Sequence, residues 1–186
     1  YSTIAHAGYL LMGLAAVAST PGGETLGPSG VLFYLGAYTA TNLAAFFAII
    51  AIVNKVGSEQ IDDFAGMGRQ APYLALVLAL AMVSLIGIPP TAGFMAKLYI
   101  FTATVDSGLI WLAVVGVVNS VVSAYYYLRV VRVMYLAPAA SEERVPSSTS
   151  LRLALGVSAV AVLFIGILPA ALLTLAQTAV GTLLGL

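Results

Sequence analysis

The chain has 186 residues, 61% of them hydrophobic and 8% charged, with a mean hydropathy of +1.06. A soluble domain carries about 25% charged residues, so a water-soluble fold is excluded. Seven basic and seven acidic residues cancel, leaving no field for nucleic acid; the lack of Cys excludes disulfides, thiolate metal sites and iron–sulfur clusters, and a single His cannot make a zinc site alone. Tyr1 stands directly in patterned helix with no basic leader and no cleavage site, which argues against a signal peptide and for a piece of a longer membrane chain.

Five apolar stretches follow in order, near 1–18, 31–53, 72–105, 109–136 and 151–180. Each is long enough to cross a hydrocarbon core of about 30 Å. Continuous Leu/Ala/Val runs predict helices, since barrel strands alternate over about 10 residues. The expected fold is therefore an all-α polytopic membrane protein with five transmembrane helices. Turn residues mark the connections: Pro21-Gly22-Gly23, Gly27-Pro28-Ser29-Gly30, Gly57-Ser58, Gly66 and Gly68, Asp106-Ser107-Gly108, and Pro138 to Ser150.

The first span places Ser2, His6, Tyr9 and Gly13 on one face, at offsets of four, three and four. His6 has an unperturbed pKa near neutrality and is a candidate proton relay. The second span carries Tyr34, Tyr38, Thr41, Asn42 and Ala45 on a similar face. A continuous third span would be about 50 Å long, well beyond a bilayer, and Gly87-Ile88-Pro89-Pro90 stands in its middle. Pro89 and Pro90 have no N–H, so the carbonyls of Leu85 and Ile86 lose their helical donors while Gly87 lets the chain turn. The third helix is expected to be discontinuous, as in ion transporters whose half-helix ends line a polar cavity.

Lys97 lies seven residues after Pro90 and nine before Asp106. That is about 13 Å from the exit, beyond comfortable reach of a side chain of ~6 Å, and its stem leans back toward the break. A Lys at that depth costs about 2.5–3.5 kcal/mol on insertion scales and marks a functional site. The surroundings of such a buried group set its proton affinity, so a proton-carrying role is expected. The fourth span carries Gly116, Asn119, Ser120, Ser123 and Tyr127 on one face, and Tyr125 to Tyr127 ahead of Arg129 predict an interfacial belt. Faces of small and hydroxyl residues are first of all packing surfaces. Tyr38, Thr41, Asn42, Asn119 and Ser123 are the expected hydration face near Lys97. The last span has Pro169, Thr174, Gln177 and Thr178 and no ionisable group, and is expected to be structural or partner-facing.

Charge sets the orientation. Lys55, Arg69, Arg129, Arg132, Arg144 and Arg152 lie in or beside the second and fourth connections, and the first and third connections have no basic residue. By the positive-inside rule the chain enters from the cytoplasmic face and its C-terminus lies outside. Glu59, Asp62, Asp63 and Arg69 form a solvated loop of mixed sign, and Glu142-Glu143-Arg144 a flexible exposed one. No phosphate loop, dinucleotide fingerprint, nucleophile elbow or HExxH is present, so no covalent chemistry is expected.

The segments YSTIAHAGYLLMGL, LFYLGAYTATNLAAF, DDFAGMGRQAPYLALVLALAMVSLIGIPPTAGFMAKLYIF and NSVVSAYYYLRVV together resemble the C-terminal half of the subunit-N family (subunit 2 in mitochondria) of the proton-pumping NADH:quinone oxidoreductase, respiratory complex I. The resemblance runs in order over about three quarters of the chain, and GIPPTAGFMAKL with AYYYLR carries it jointly. It implies spans ten to fourteen of fourteen, the twelfth being the broken one. Lys97 matches the Lys of the distal half-channel, where a Glu would point to sister subunit M. The implied first inverted repeat, with its buried Glu–Lys pair and central-axis Lys, lies outside this sequence. The resemblance further implies a non-redox, proton-translocating subunit in contact with lipid and other membrane subunits, and the Ala/Val/Gly-rich composition points to a bacterial plasma (inner) membrane. Nicotinamide, flavin, iron–sulfur and quinone sites would belong to those subunits, with none in this chain. Two alternatives stay open: a subunit of a multisubunit cation/proton antiporter, and a structural membrane module.

Overall fold

The structure is a computed structural model that describes residues 1–19, 26–138 and 148–184. It is all-helical: α1 (Ser2–Ser19), α2 (Leu26–Val56), a single 3-10 turn (Ile61–Phe64), α3 (Met67–Gln70), α4 (Pro72–Ile86), α5 (Ala92–Asp106), α6 (Ile110–Leu136), α7 (Thr149–Ile167) and α8 (Ala170–Leu184). Helices α1, α2, α6 and α7 are each long and apolar enough to cross a membrane, whereas α4 and α5 are short. At 15 residues each, those two span about 22 Å apiece and neither crosses alone. The protein is a polytopic membrane protein.

Helix α2 is the hub and packs against α1, α4, α5, α7 and α8. Its sequence permits this because Ala37, Ala44, Ala45 and Ala48 form a buried small-residue face, and Ala75, Leu78 and Ala81 of the adjacent α4 are buried in the same core. Small residues let helix backbones approach closely where lipid supplies no hydrophobic drive between helices. The outer surface has the opposite character: Val114, Val115, Val118, Val121 and Val122 of α6 are exposed, a face suited to lipid or another membrane chain.

Two boundaries differ from expectation. Gly27 to Gly30, expected as a connection, are the first turns of α2. Pro28 is tolerated there because N–H groups of a first helical turn have no intrahelical acceptor anyway, and Gly27 and Gly30 let that turn lie close to Val17 and Tyr99. The last span, expected continuous over 151–180, is split into α7 and α8 at Leu168 and Pro169. Pro169 disfavours helical geometry at the residue before it, and Leu168 leaves the helix with φ −122° and ψ 63°.

At one end of the bundle the 3-10 turn and α3 pack against α6. Asp62 pairs with Arg129 at 3.4 Å, both exposed, an arrangement worth little in stability. Tyr73 Oη donates to the Arg152 carbonyl at 2.9 Å, drawing the start of α7 to the start of α4. Asp63 accepts from Ser58 in the same mixed-sign loop. Pro21 to Gly23 and Glu142 to Arg144 lie outside the described residues.

Candidate functional site

Helix α4 ends at Gly87, which adopts φ 91° and ψ 50°, a left-handed conformation that glycine adopts freely. Its N–H reaches back to the carbonyls of Val83 and Ser84. The next two carbonyls, of Leu85 and Ile86, would take their donors from Pro89 and Pro90, which have none. Lys97 supplies them: its Nζ donates to Leu85 O at 3.1 Å and Ile86 O at 2.8 Å. The residue is 5% exposed. Its third N–H goes to Ser120 Oγ of α6 at 2.7 Å, so all three donors of the ammonium are matched. The Tyr9 ring lies 4.7 Å from Nζ, within cation–π range.

The approach of the two half-helices is set by glycine and hydroxyl groups. A Cβ on Gly93 would lie 1.8 Å from the Ser84 carbonyl oxygen, so α5 starts directly against the end of α4. Ser84 Oγ accepts from Gly93 N–H at 3.1 Å and shares a hydrogen bond with Thr41 Oγ1 at 3.0 Å. A Cβ on Gly87 would come within 2.9 Å of Lys97 Cδ; the missing side chain at the break is the space the lysine stem uses.

Two hydrogen-bonded groups meet beside the break. In the first, Tyr9 Oη donates to Ser120 Oγ at 3.0 Å and Asn119 Nδ2 donates to Tyr9 Oη at 3.2 Å. In the second, His6 is 4% exposed, with Nδ1 2.5 Å from Tyr34 Oη and Nε2 3.2 Å from Tyr127 Oη. Tyr127 Oη also bonds Ser2 Oγ at 2.6 Å. Both imidazole nitrogens face hydroxyls, which act as donor or acceptor, so either tautomer is satisfied and a proton can enter at one nitrogen and leave at the other. His6 and Tyr9 meet edge to face at 5.8 Å between ring centroids, a contact of rings with no hydrogen bond. A cavity of about 10 Å³ lined by His6, Tyr34, Tyr38, Thr41, Ser84 and Leu85 lies between the His6 group and the break, about the size for one water. On the other side of Lys97 a half-open cleft of about 350 Å³ runs between α5 and α6, lined by Gly87, Phe94, Phe101, Ser120 and Val121 among others.

The structure brings Lys97 to Gly87 and to the carbonyls of Leu85 and Ile86 and places His6 beside Leu85 at the break, whereas Pro89 and Pro90 themselves are exposed. Asn119 and Thr41, expected on a hydration face, make direct side-chain hydrogen bonds to Tyr9 and Ser84. Tyr38 stacks on His6 with centroids 4.6 Å apart, Ser123 donates to its own helix at Ser120 O, and Asn42 is half-buried and joins neither group. The tyrosine belt needs correction. Tyr125 is 79% exposed, but Tyr127 is 4% exposed and bonded to His6, because residues two apart on a helix point about 200° away from each other. Tyr9, Tyr34, Ser120 and Tyr127, which lie on the polar faces read from helical offsets, also line this region, and Ser84, which no spacing singled out, joins them.

Residues 1–123 match the family described as NADH:quinone oxidoreductase/Mrp antiporter, TM. The chain belongs to that family. It is 48% identical over 179 residues, 96% of its length, to NADH-quinone oxidoreductase subunit N of Dehalococcoides mccartyi, and 46% identical over 183 residues to subunit N of Trichlorobacter lovleyi. The chain spans 37% and 36% of the length of these two curated relatives. Among solved structures it resembles a chain of respiratory complex I from Thermus thermophilus with bound aureothin, with a TM-score of 0.73 and 31% identity over 94% of this chain and 38% of that one. It also shares the fold of a chain of the Mrp complex from Dietzia sp. DQ12-45-1b, with a TM-score of 0.79, 23% identity and coverage of 93% and 40%.

Proposed function

We propose that the protein is a proton-translocating, antiporter-like membrane subunit of a bacterial NADH:quinone oxidoreductase, with Lys97 as the proton carrier and no redox chemistry of its own. The observation that carries this reading is the burial of the Lys97 ammonium on the two carbonyls freed by the helix break. In this reading α4 and α5 together form one discontinuous span, α7 and α8 together form the last, and the C-terminus lies on the outer side of the plasma membrane. Other membrane subunits and lipid cover the exposed apolar faces.

In the full protein Lys97 takes a proton from the interior of the membrane domain, with His6 as the preceding relay, and releases it outward. Redox chemistry in partner subunits changes the electrostatic surroundings of the site. Moving one proton against 100 mV requires about 2.3 kcal/mol. A change of about fiftyfold in the proton affinity of Lys97 supplies that, since 1.36 kcal/mol is tenfold. One neighbouring charge in a low-dielectric interior is adequate for such a change.

The test is Lys97→Ala and Lys97→Arg in the complete complex, reconstituted in vesicles. Arg preserves charge and donors but does not release a proton. Both variants are expected to assemble and to lower the number of protons moved per quinone reduced; wild-type stoichiometry in both rejects the carrier role. The shared fold with an Mrp chain supports a second reading, a cation/proton antiporter without redox partners, and sodium-driven proton movement by the assembled protein is its distinguishing result. A purely structural module predicts loss of assembly in Lys97→Ala.

A further inference from the structure

We propose that Ser120 is the proton-release partner of Lys97, the hydroxyl through which the lysine gives up its proton; this rests on the carrier reading of Lys97. The three acceptors around Nζ are chemically unequal. Leu85 O and Ile86 O are carbonyls and only accept, whereas Ser120 Oγ accepts and donates. An ammonium has three N–H groups and needs three acceptors. A neutral amine has two N–H groups and one lone pair, so it needs two acceptors and one donor. The shell observed here fits both forms: the two carbonyls keep two N–H groups in either state, and only the Ser120 contact has to reverse. Among the described residues no other hydroxyl, amide or charged side chain hydrogen-bonds Nζ. Without Ser120, the neutral lysine at this depth would carry an unmatched lone pair beside two carbonyls.

The surroundings of Ser120 fix the direction of exchange. Its oxygen already accepts from Lys97 at 2.7 Å and from Tyr9 Oη at 3.0 Å, which occupies both lone pairs and leaves its own hydrogen free. Ser120 also lines the 350 Å³ cleft between α5 and α6, an otherwise apolar space in which Ser120 and Lys97 are the polar lining side chains that could hold a water. The step is therefore a concerted transfer: an Nζ–H bond breaks as its proton bonds to Oγ, and the original hydrogen of Ser120 passes to a water in the cleft. The products are a neutral lysine, an intact serine and a hydronium, with no electrons exchanged. The new Oγ–H then lies on the line to Nζ, where it donates to the amine lone pair. Asn119 and Tyr9 act as positioning residues, since Asn119 Nδ2 bonds Tyr9 Oη, which holds Ser120.

The experiment compares Ser120→Thr with Ser120→Val, two variants of equal shape that differ in the hydroxyl, and adds Ser120→Ala alone and in a Lys97→Ala background. All are made in the full subunit within the assembled complex, and proton movement per quinone reduced is measured in vesicles. Losing a hydrogen bond to a charged group is worth about tenfold or more, so Ser120→Val and Ser120→Ala should lower Lys97-dependent proton movement about tenfold while Ser120→Thr retains it. In the Lys97→Ala background, Ser120→Ala should add nothing. Normal pumping in Ser120→Val with impaired pumping in Lys97→Ala overturns the role of Ser120 and leaves the carrier reading intact. Normal pumping in Lys97→Ala removes both. An additive loss in the double variant, or equal losses in the Thr and Val variants, assigns Ser120 to packing and overturns the proposal.

Discussion

The chain has two proline interruptions, and they are built differently. At the first, between α4 and α5, the carbonyls of Leu85 and Ile86 meet a lysine ammonium and a neighbouring network of hydroxyls. At the second, between α7 and α8, Leu168 N–H returns to the Phe164 carbonyl and Leu173 N–H takes up the Pro169 carbonyl; no ionisable side chain of α8 reaches it, because α8 has none. A proline thus interrupts a helix with or without a charge beside it: Lys97 meets the carbonyls of the first break, and α8 brings no ionisable group to the second. The two breaks also touch: a Cβ on Gly166, near the end of α7, would lie 2.2 Å from Pro90 O and 2.4 Å from the Thr91 carbonyl carbon. The apolar break acts as a buttress for the polar one.

The contrast can be tested from the largest effect downward. Gly166→Ala forces backbone against backbone at the contact between the breaks. It should destabilise the subunit by about 3 kcal/mol, seen as loss of assembled complex on a native gel; full assembly with normal thermal stability would show that the two breaks are uncoupled. Gly87→Ala strains a left-handed residue by about 1–2 kcal/mol and intrudes on the Lys97 stem. Assembly should persist with proton movement reduced several-fold, and unchanged pumping would mean that the lysine does not need its observed seat. Pro169→Ala at the second break should change stability by no more than about 1 kcal/mol and leave pumping at the wild-type level; a pumping defect there would end the distinction drawn between the breaks.

Much of this was legible before any coordinates. Hydropathy sums over a whole span, so single-residue errors average out, and the positions of α1, α4, α5 and α6 lie within a few residues of those read from composition. The double proline and the depth of Lys97 are likewise local facts of spacing. The start of α2 differs because Gly27, Pro28 and Gly30 are turn residues by statistics, yet here Pro28 sits in the first helical turn and Gly27 lets that turn begin against Val17. Pro169 was visible, but its effect on an otherwise uniform apolar run depended on what could pack against the gap. Tyr127 fits two sequence patterns, the tyrosine run of Tyr125 to Tyr127 and the face of Gly116 and Ser123, and its burial follows the second.

The chain by itself determined that it is helical and built of long apolar runs, that Gly87 to Pro90 interrupt one of those runs, and that a cation follows the interruption by seven residues, because each of these follows from residue type and distance along a helix of fixed rise. Which groups receive that cation was decided by the tertiary structure. Helix rotation and the sliding of one helix past another are set by small-residue packing around α2, and a shift of one residue turns a side chain by about 100°. Only the assembled bundle therefore selects Ser120 and Tyr9, on helices α6 and α1, to meet Lys97 on α5.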